Sequence, residues 1–440
     1  MKSTFLTRRI LGTAVAGACL AALALPAGAV DLKTADGSWT FSIDGEVNVD
    51  YIWSSCQSAT SAVPVAGGLT CVGSASTSNV SNIGNGLLPA AFTFGVSTTQ
   101  DGIDLAAHLG LYPGIATNDG GSPNLQTGNG PTNSALGSTG LDIRQVYMTF
   151  GNKDMGTFTL GRNIGLFGAD VILNDMTLMG VGAPGSAASS APSNTTLGGI
   201  GFGYIYTDWL AQIDYTTPDM SGFALTVGVF DPLNSLSDGT VADGNAGYAI
   251  APKSGPGVHG KIAYTLNIAE GEKFYVSVAA LSQEQNFNYA SAIIPPTIPS
   301  TYSYRGTGVD VFAKLDVQGL EVLGYYYHAE GLGTTALFDG GDFGLGQTRT
   351  SSGYLGQVTY KIGAVKLGAN YGSSNLDFAN ATDQAANPDL VRSNRKGTLG
   401  VYYSLTKNLM LLAEGSRTKS ESFAGSNDST TINVGAFLGF

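Results

Sequence analysis

Residues 39–53 read Trp-Thr-Phe-Ser-Ile-Asp-Gly-Glu-Val-Asn-Val-Asp-Tyr-Ile-Trp. The odd positions Trp39, Phe41, Ile43, Val47, Val49, Tyr51 and Trp53 are apolar, with Gly45 among them. The even positions Thr40, Ser42, Asp44, Glu46, Asn48 and Asp50 are polar. Side chains alternate faces along a strand, so one face of this segment is apolar and the other polar and acidic. In a soluble sandwich the apolar face would meet a second sheet. Aromatic residues at both ends of that face fit a lipid-facing band with interfacial girdles better.

The pattern recurs along the chain. Strands are expected near 88–98, 103–112, 141–151, 156–162, 202–217, 222–231, 258–268, 273–285, 307–318, 319–330, 352–362, 364–374, 396–406, 408–418 and 429–440. With the first, that makes sixteen. Val309, Val311, Ala313, Leu315 and Val317, for example, alternate with Asp310, Lys314 and Asp316. Short connections such as Gln100-Asp101-Gly102, Gln318-Gly319 and Gly363-Ala364 carry hairpin-turn residues. Long connections rich in Gly, Ser, Asn and Pro cover 54–87, 113–140, 163–201, 232–257, 286–306, 331–351, 375–395 and 419–428. Strict alternation of short and long puts all turns on one rim and all loops on the other. Bacterial membrane barrels have that asymmetry, with short periplasmic turns and long external loops. The last strand, with Ile432, Val434, Ala436, Leu438 and Phe440 on one face, is placed to close against the first and remove both edges.

The N-terminus agrees. Lys2, Arg8 and Arg9 precede the apolar run Leu11 to Leu25 and the small-residue site Ala27-Gly28-Ala29. This is a secretory signal layout, with cleavage expected after Ala29 and the mature domain over 30–440. Thr7-Arg8-Arg9 only faintly resembles a twin-arginine signal, and Cys19 lacks the leucine a lipoprotein site wants before it. Removing the signal leaves 18 basic against 33 acidic residues, a net charge of −15 that argues against nucleic acid as a partner. Only 12% of residues are charged, and no stretch after the signal holds 18 consecutive apolar residues, so no membrane helix is expected. Such a chain hides its hydrophobicity in alternation, as closed barrels do. Cys56 and Cys71, fifteen apart, lack a nearby His or further Cys for a metal and are expected to form a disulfide in an oxidising periplasm.

Residues 144–176 carry a resemblance. The run is Arg144-Gln-Val-Tyr-Met-Thr-Phe-Gly151, then Met155-Gly-Thr-Phe-Thr-Leu-Gly-Arg162-Asn163, then Leu166-Phe167-Gly168 and Asn174-Asp175-Met176. Together with Thr216-Thr217-Pro218, Gly222-Phe223 and the terminal Phe440, it resembles the trimeric general porins of Gram-negative bacteria. The resemblance implies an all-β transmembrane antiparallel barrel of about sixteen strands in the outer membrane, with its third loop folded into the lumen. It implies passive diffusion of small hydrophilic solutes and ions. Its implied partners are a homotrimer, outer-membrane lipid and lipopolysaccharide, and the barrel assembly machinery. By the same likeness Arg144 belongs to a basic wall, Asp175 faces it across a constriction, Arg162 anchors the third loop, and Phe440 is an assembly signal. Opposed charges across a narrow wet lumen would sort solutes by charge. The chain departs from the family pattern in its first strand, which offers acids where basic residues are usual. Ala90-Ala91 and the expected strand residues Tyr204 and Tyr206 also replace lumenal charges.

Blander roles compete with these. Arg144 can pair with Asp142, and Asp175 can cap its own turn. Asp44, Glu46 and Asp50 point inward by alternation and are candidates for a cation-leaning lumen. Lys261, Lys314 and Glu414 also fall on polar faces but are expected to be ordinary wall residues. Tyr325, Tyr326 and Tyr327 read as girdle residues. Catalysis and cofactors are not expected: His108, His259 and His328 sit in separate strands with no matching serine motif. A substrate-selective channel of the same architecture, marked by inward tyrosines, is the alternative; a hydrolase on a barrel scaffold and a loop-borne adhesin have less support.

Overall fold

A computed structural model describes residues 30–57, 65–71, 79–115, 141–184, 195–234, 248–289 and 299–440. The expected signal peptide, 1–29, lies outside the described residues. Sixteen strands form the wall: β1 (Trp39–Cys56), β2 (Ala91–Gln100), β3 (Ile103–Pro113), β4 (Leu141–Asn152), β5 (Gly156–Ile164), β6 (Trp209–Thr216), β7 (Phe223–Phe230) and β8 (Gly257–Ala269). The rest are β9 (Glu272–Tyr289), β10 (Thr301–Val317), β11 (Leu320–Glu330), β12 (Thr350–Ile362), β13 (Val365–Asp377), β14 (Ser393–Ser404), β15 (Leu409–Glu421) and β16 (Ser426–Gly439). Each pairs antiparallel with its sequence neighbour, and β16 pairs with β1 from Gly439 opposite Glu46 to Ser429 opposite Cys56. The sheet is therefore a closed ring with no wall strand left as an edge. Three short strands extend it: Val30–Lys33 on the lower part of β1, Asn79–Gly84 on its upper part, and Tyr248–Ala251 on the upper part of β9.

Alternation decides what each face meets. On β10, Val309 and Val311 are 50% and 42% exposed on the outside, while Asp310 and Phe312 between them are buried on the inside. The same split runs round the ring, so the outer surface is a band of Val, Leu, Ile, Phe and Tyr that only hydrocarbon would cover without cost. Phe440 sits at the seam. Its backbone exchanges hydrogen bonds with Gly45 at 2.9 and 3.0 Å, and its ring lies 5.5 Å from Phe92. A side chain at Gly45 would strike both the Phe440 ring and the Ala91 carbonyl, so glycine is required at this closure.

Several expectations are corrected. Residues 202–208 are not strand: Gly203 (φ 147) and Asp208 (φ 60) break the extended backbone, and β6 starts at Trp209. Tyr204 and Tyr206 therefore belong to the third loop. The expected strand 88–98 is β2, shifted to Ala91–Gln100, and its partner ladder on β1 is interrupted by 85–90, which turn into the lumen. The expected long loop 419–428 shrinks to Ser422–Gly425, because β15 and β16 stay paired up to Glu421 opposite Ser426. Tyr325 and Tyr327 are not girdle residues; both are buried inside, and Tyr326 alone of the three faces out.

Cys56 and Cys71 are joined by a disulfide, with Cα atoms 5.3 Å apart. The bridge holds segment 65–71 against the external ends of β14 and β15. Leu69 N donates to Asn394 Oδ1 and Ser420 Oγ at 3.2 and 3.1 Å, and the Ala66 carbonyl accepts from Val391 N at 2.8 Å. A cross-link over 15 residues contributes about 3 kcal/mol at most, by limiting the open forms of that loop. Replacing both cysteines with serine is expected to leave the barrel's resistance to heat and detergent intact while speeding cleavage by a nonspecific protease between residues 57 and 79. Loss of barrel stability in the variant would contradict this.

Candidate functional site: the lumen and its inward loop

The third loop, between β5 and β6, crosses the inside of the barrel along the wall. It touches the inward faces of strand after strand. Gly168 N donates to Asp310 Oδ2 on β10 at 2.7 Å as the short helix Ala169–Asn174 begins. Asp170 on that helix accepts from Lys261 Nζ (3.0 Å) on β8 and from Tyr275 (3.0 Å) and Ser277 (2.5 Å) on β9. Burial pushes the Asp170 carboxyl up, but Lys261 and these hydrogen bonds outweigh it, and the net shift is downward. Gln357 on β12 grips the backbone twice, accepting from Met176 N at 2.7 Å and donating to the Asn174 carbonyl at 2.9 Å. Lys314 on β10 donates to Asn174 Oδ1 at 3.3 Å.

Further on, Glu414 on β15 accepts from Val181 N and Gly182 N at 2.9 Å each, and from the Tyr402 hydroxyl at 2.6 Å. The loop then meets the inward turn 85–90: Leu87 N donates to the Gly180 carbonyl at 2.7 Å and Leu88 N to the Leu178 carbonyl at 2.9 Å. Between the polar pins the loop buries Phe167, Val171, Ile172, Tyr204 and Ile205 with Phe312, Tyr325, Tyr327 and Leu355 of the wall. Each large apolar side chain so buried contributes about 1.5–3 kcal/mol. Close approach depends on missing side chains: a Cβ at Gly372 on β13 would collide with the Phe202 carbonyl, and one at Gly203 would sit 2.7 Å from the Tyr354 carbonyl.

The expected site residues fall into two groups. Arg144 is inward on β4, where a bulge opposite Gly110 and Tyr112 turns both Arg144 and Gln145 to the inside. Its Nε is 2.9 Å from Asp142 Oδ2 and its guanidinium lies over the Tyr112 ring at 5.1 Å. Asp175 does not confront it. Its Oδ1 accepts from Thr177 N (2.9 Å), Thr177 Oγ1 (2.8 Å) and Asn370 Nδ2 (3.2 Å), and its Oδ2 from the Tyr204 hydroxyl (2.8 Å). Its carboxylate is turned onto β13, nearly half the ring from β4, and is spent on fixing the loop.

Arg162 is also placed differently from expectation. It stands opposite Val146 and Ala211 in the ladders, and so points to the outside of the wall, where its charge reaches Asp208 at the far end of the loop and none of the inward wall contacts above involves it. Lys261, Lys314 and Glu414, expected to be ordinary wall residues, are loop anchors instead. Asp50 is fully buried and accepts from Asn433 Nδ2 at 3.0 Å. Asp44, hydrogen-bonded by Thr93 Oγ1, and Glu46 are only partly covered, on the wall the loop leaves bare. Of the histidines, His108 stacks on Tyr147, His259 stacks on Phe230 and accepts from Leu166 N at 3.4 Å, and His328 faces outward.

A sequence model of Gram-negative porins matches residues 13–422. The chain belongs to the Gram-negative porin family. This porin is accordingly a channel of the outer membrane. A comparison with curated protein sequences finds no significant match. Among solved structures, the outer-membrane channel DcaP of Acinetobacter baumannii is 15% identical, covers 93% of this chain and 99% of its own, and has a TM-score of 0.63. OmpF of Salmonella typhi in complex with daunomycin is 14% identical over 93% and 100%, with a TM-score of 0.51. A trimer form of OmpT of Vibrio cholerae is 12% identical over 92% and 100%, with a TM-score of 0.50. At these identities the likeness is one of fold.

In this porin Glu414 alone satisfies two loop amides and a buried phenol. Glu414→Ala is expected to loosen the loop by several kcal/mol, about 1–3 for each donor left unpaired. Hydrogen exchange at Val181 and Gly182 and single-channel current noise should both rise. Exchange rates equal to wild type would show that the loop is held without this carboxylate.

Proposed function

We propose that the porin is a cation-leaning diffusion channel for small hydrophilic solutes. The observation that carries this is the position of the third loop. It lies against β8 to β15 and meets the turn 85–90, so among the described residues the passage it leaves is along β1 to β6. On that wall Asp44 and Glu46 are partly exposed acids, with the exposed Asp104 of β3 nearer the short turns, and the nearby Arg144 is already paired with Asp142. Among the described residues, loop segment 178–184, which meets the turn 85–90, carries no charge. Selectivity then comes from one acidic wall, with no field set across the lumen by Asp175. Exposed charges act over about 10 Å at 0.1 M salt, so only these lumenal groups count. Of the inward tyrosines that would favour the substrate-selective alternative, Tyr204, Tyr325 and Tyr327 are buried in loop packing and offer no face to a solute, while Tyr147, stacked on His108, and Tyr275 stay partly exposed.

The assembly is proposed to be a homotrimer, surrounded by outer-membrane lipid and lipopolysaccharide and inserted by the barrel assembly machinery. The trimer form of the Vibrio cholerae OmpT structure supports the first of these. An oligomer band that is stable without heating and collapses on boiling is the expected gel behaviour; a monomer under every mild condition would exclude the trimer.

Reversal potential under a KCl gradient tests the selectivity. The wild type should favour K⁺, increasingly so as salt falls. Asp44→Asn combined with Glu46→Gln should reduce the preference, while Arg144→Ala should raise it. Asp175→Asn should change loop stability more than selectivity. Anion preference in the wild type, or a double variant indistinguishable from it, would remove the acidic wall from the argument.

A further inference from the structure

Beneath the third loop, on the short-turn side, the lumen widens into a cavity of about 800 Å³. Lysines from five strands line it: Lys261, Lys273, Lys314, Lys361 and Lys366. Two of them have ionic partners. Lys261 is 3.0 Å from Asp170, and Lys314 is 3.1 Å from Asp316 and 4.0 Å from Glu321. Lys361 on β12 and Lys366 on β13 are different. They stand directly opposite each other in the antiparallel register, and alternation sends both inward. Opposed residues in such a ladder have Cβ atoms about 5 Å apart, and like charges there repel. Among the described residues neither makes an ion pair within 4.0 Å. Glu321, the nearest acid on this arc, is within electrostatic reach of Lys366, but it is shared with Lys314 and Lys273 and accepts from Thr359 Oγ1 at 2.9 Å. Asp214 faces the cavity from β6, on the far wall. The Tyr402 ring closes the corner, 5.7 Å from Lys366 Nζ.

A pair of facing cations in a wet cavity, offset only by a Glu321 carboxylate that other lysines share, is stabilised by an anion that bridges them. We propose that Lys361 and Lys366, with Lys314 two strands away in the lining of the same cavity, form a binding subsite for a small multivalent oxyanion, a phosphate or a polycarboxylate. An oxyanion with two or more charged oxygens satisfies both ammonium groups at once, which chloride cannot do with the same geometry. The subsite places a basic level below the acidic wall at Asp44 and Glu46. Solutes that clear the passage meet charge of the other sign before the periplasm.

The subsite rests on the reading of the lumen as a conducting channel, and KCl conductance tests that separately. The experiment is current block by sodium phosphate, and in a second arm by sodium citrate, added to either side of channels inserted with one orientation. Block is expected at lower concentration from the short-turn side. Lys361→Gln combined with Lys366→Gln should weaken it by about tenfold, the size of two exposed ion pairs. Lys361→Glu should abolish it. The arm that blocks identifies the anion class. Channels that conduct KCl yet show no block in either arm, or equal block from both sides, would overturn the subsite. So would undiminished block in a conducting double variant. The sidedness of the wild type decides the matter even where a variant fails to assemble.

Discussion

The rest of the structure depends on the closure of β16 on β1. A sheet in hydrocarbon has no water to satisfy its edge, and each unpaired backbone group there costs several kcal/mol. The ring meets this constraint with an uninterrupted ladder from Gly439 opposite Glu46 to Ser429 opposite Cys56. Closure fixes the outside as the apolar face and the inside as the polar one. It also fixes which residues any inward loop can reach. The third loop exploits this: Asp310, Gln357 and Glu414 lie on three different strands, yet all three accept hydrogen bonds from its backbone.

The loop is held by two kinds of force with different jobs. The aromatic contacts among Phe167, Tyr204, Phe312, Tyr325 and Tyr327 supply most of the attraction, but apolar contact is non-directional. The carboxylates and amides supply register. Asp175 shows the difference, since its four hydrogen bonds set the angle at which the chain leaves helix Ala169–Asn174. Among the described residues, the loop thus covers the lumenal faces of β8 to β15 and leaves the opposite arc to other contacts.

The sequence made the wall legible because its rules are local. Val309 to Val317 alternate within a few residues, and Gln318-Gly319 needs only positive φ at two positions to turn. The site was less legible because its partners are distant. Asp175 meets Asn370, 195 residues away, and no local pattern says which way a loop carboxylate will turn. Phe202, Tyr204 and Tyr206 imitate the period of two of a strand. Gly203, with a backbone only glycine readily adopts, breaks that period. Arg162 carried a usable signal, since it shares parity with Phe158 and Leu160 and so with the outer face. Lys361 and Lys366 flank the Gly363-Ala364 turn, and a hairpin there must bring them face to face.

The bore of the passage is set where no side chain exists. Phe202 can nest against β13, and Gly203 against β12, only because Gly372 and Gly203 have no Cβ. A single methyl group at either position would lift the loop off its wall and toward the bare side. The channel would narrow although every residue facing the solute stayed the same. Calibre here is a property of backbone lying on backbone, and it can drift through substitutions that a survey of pore-lining residues would pass over.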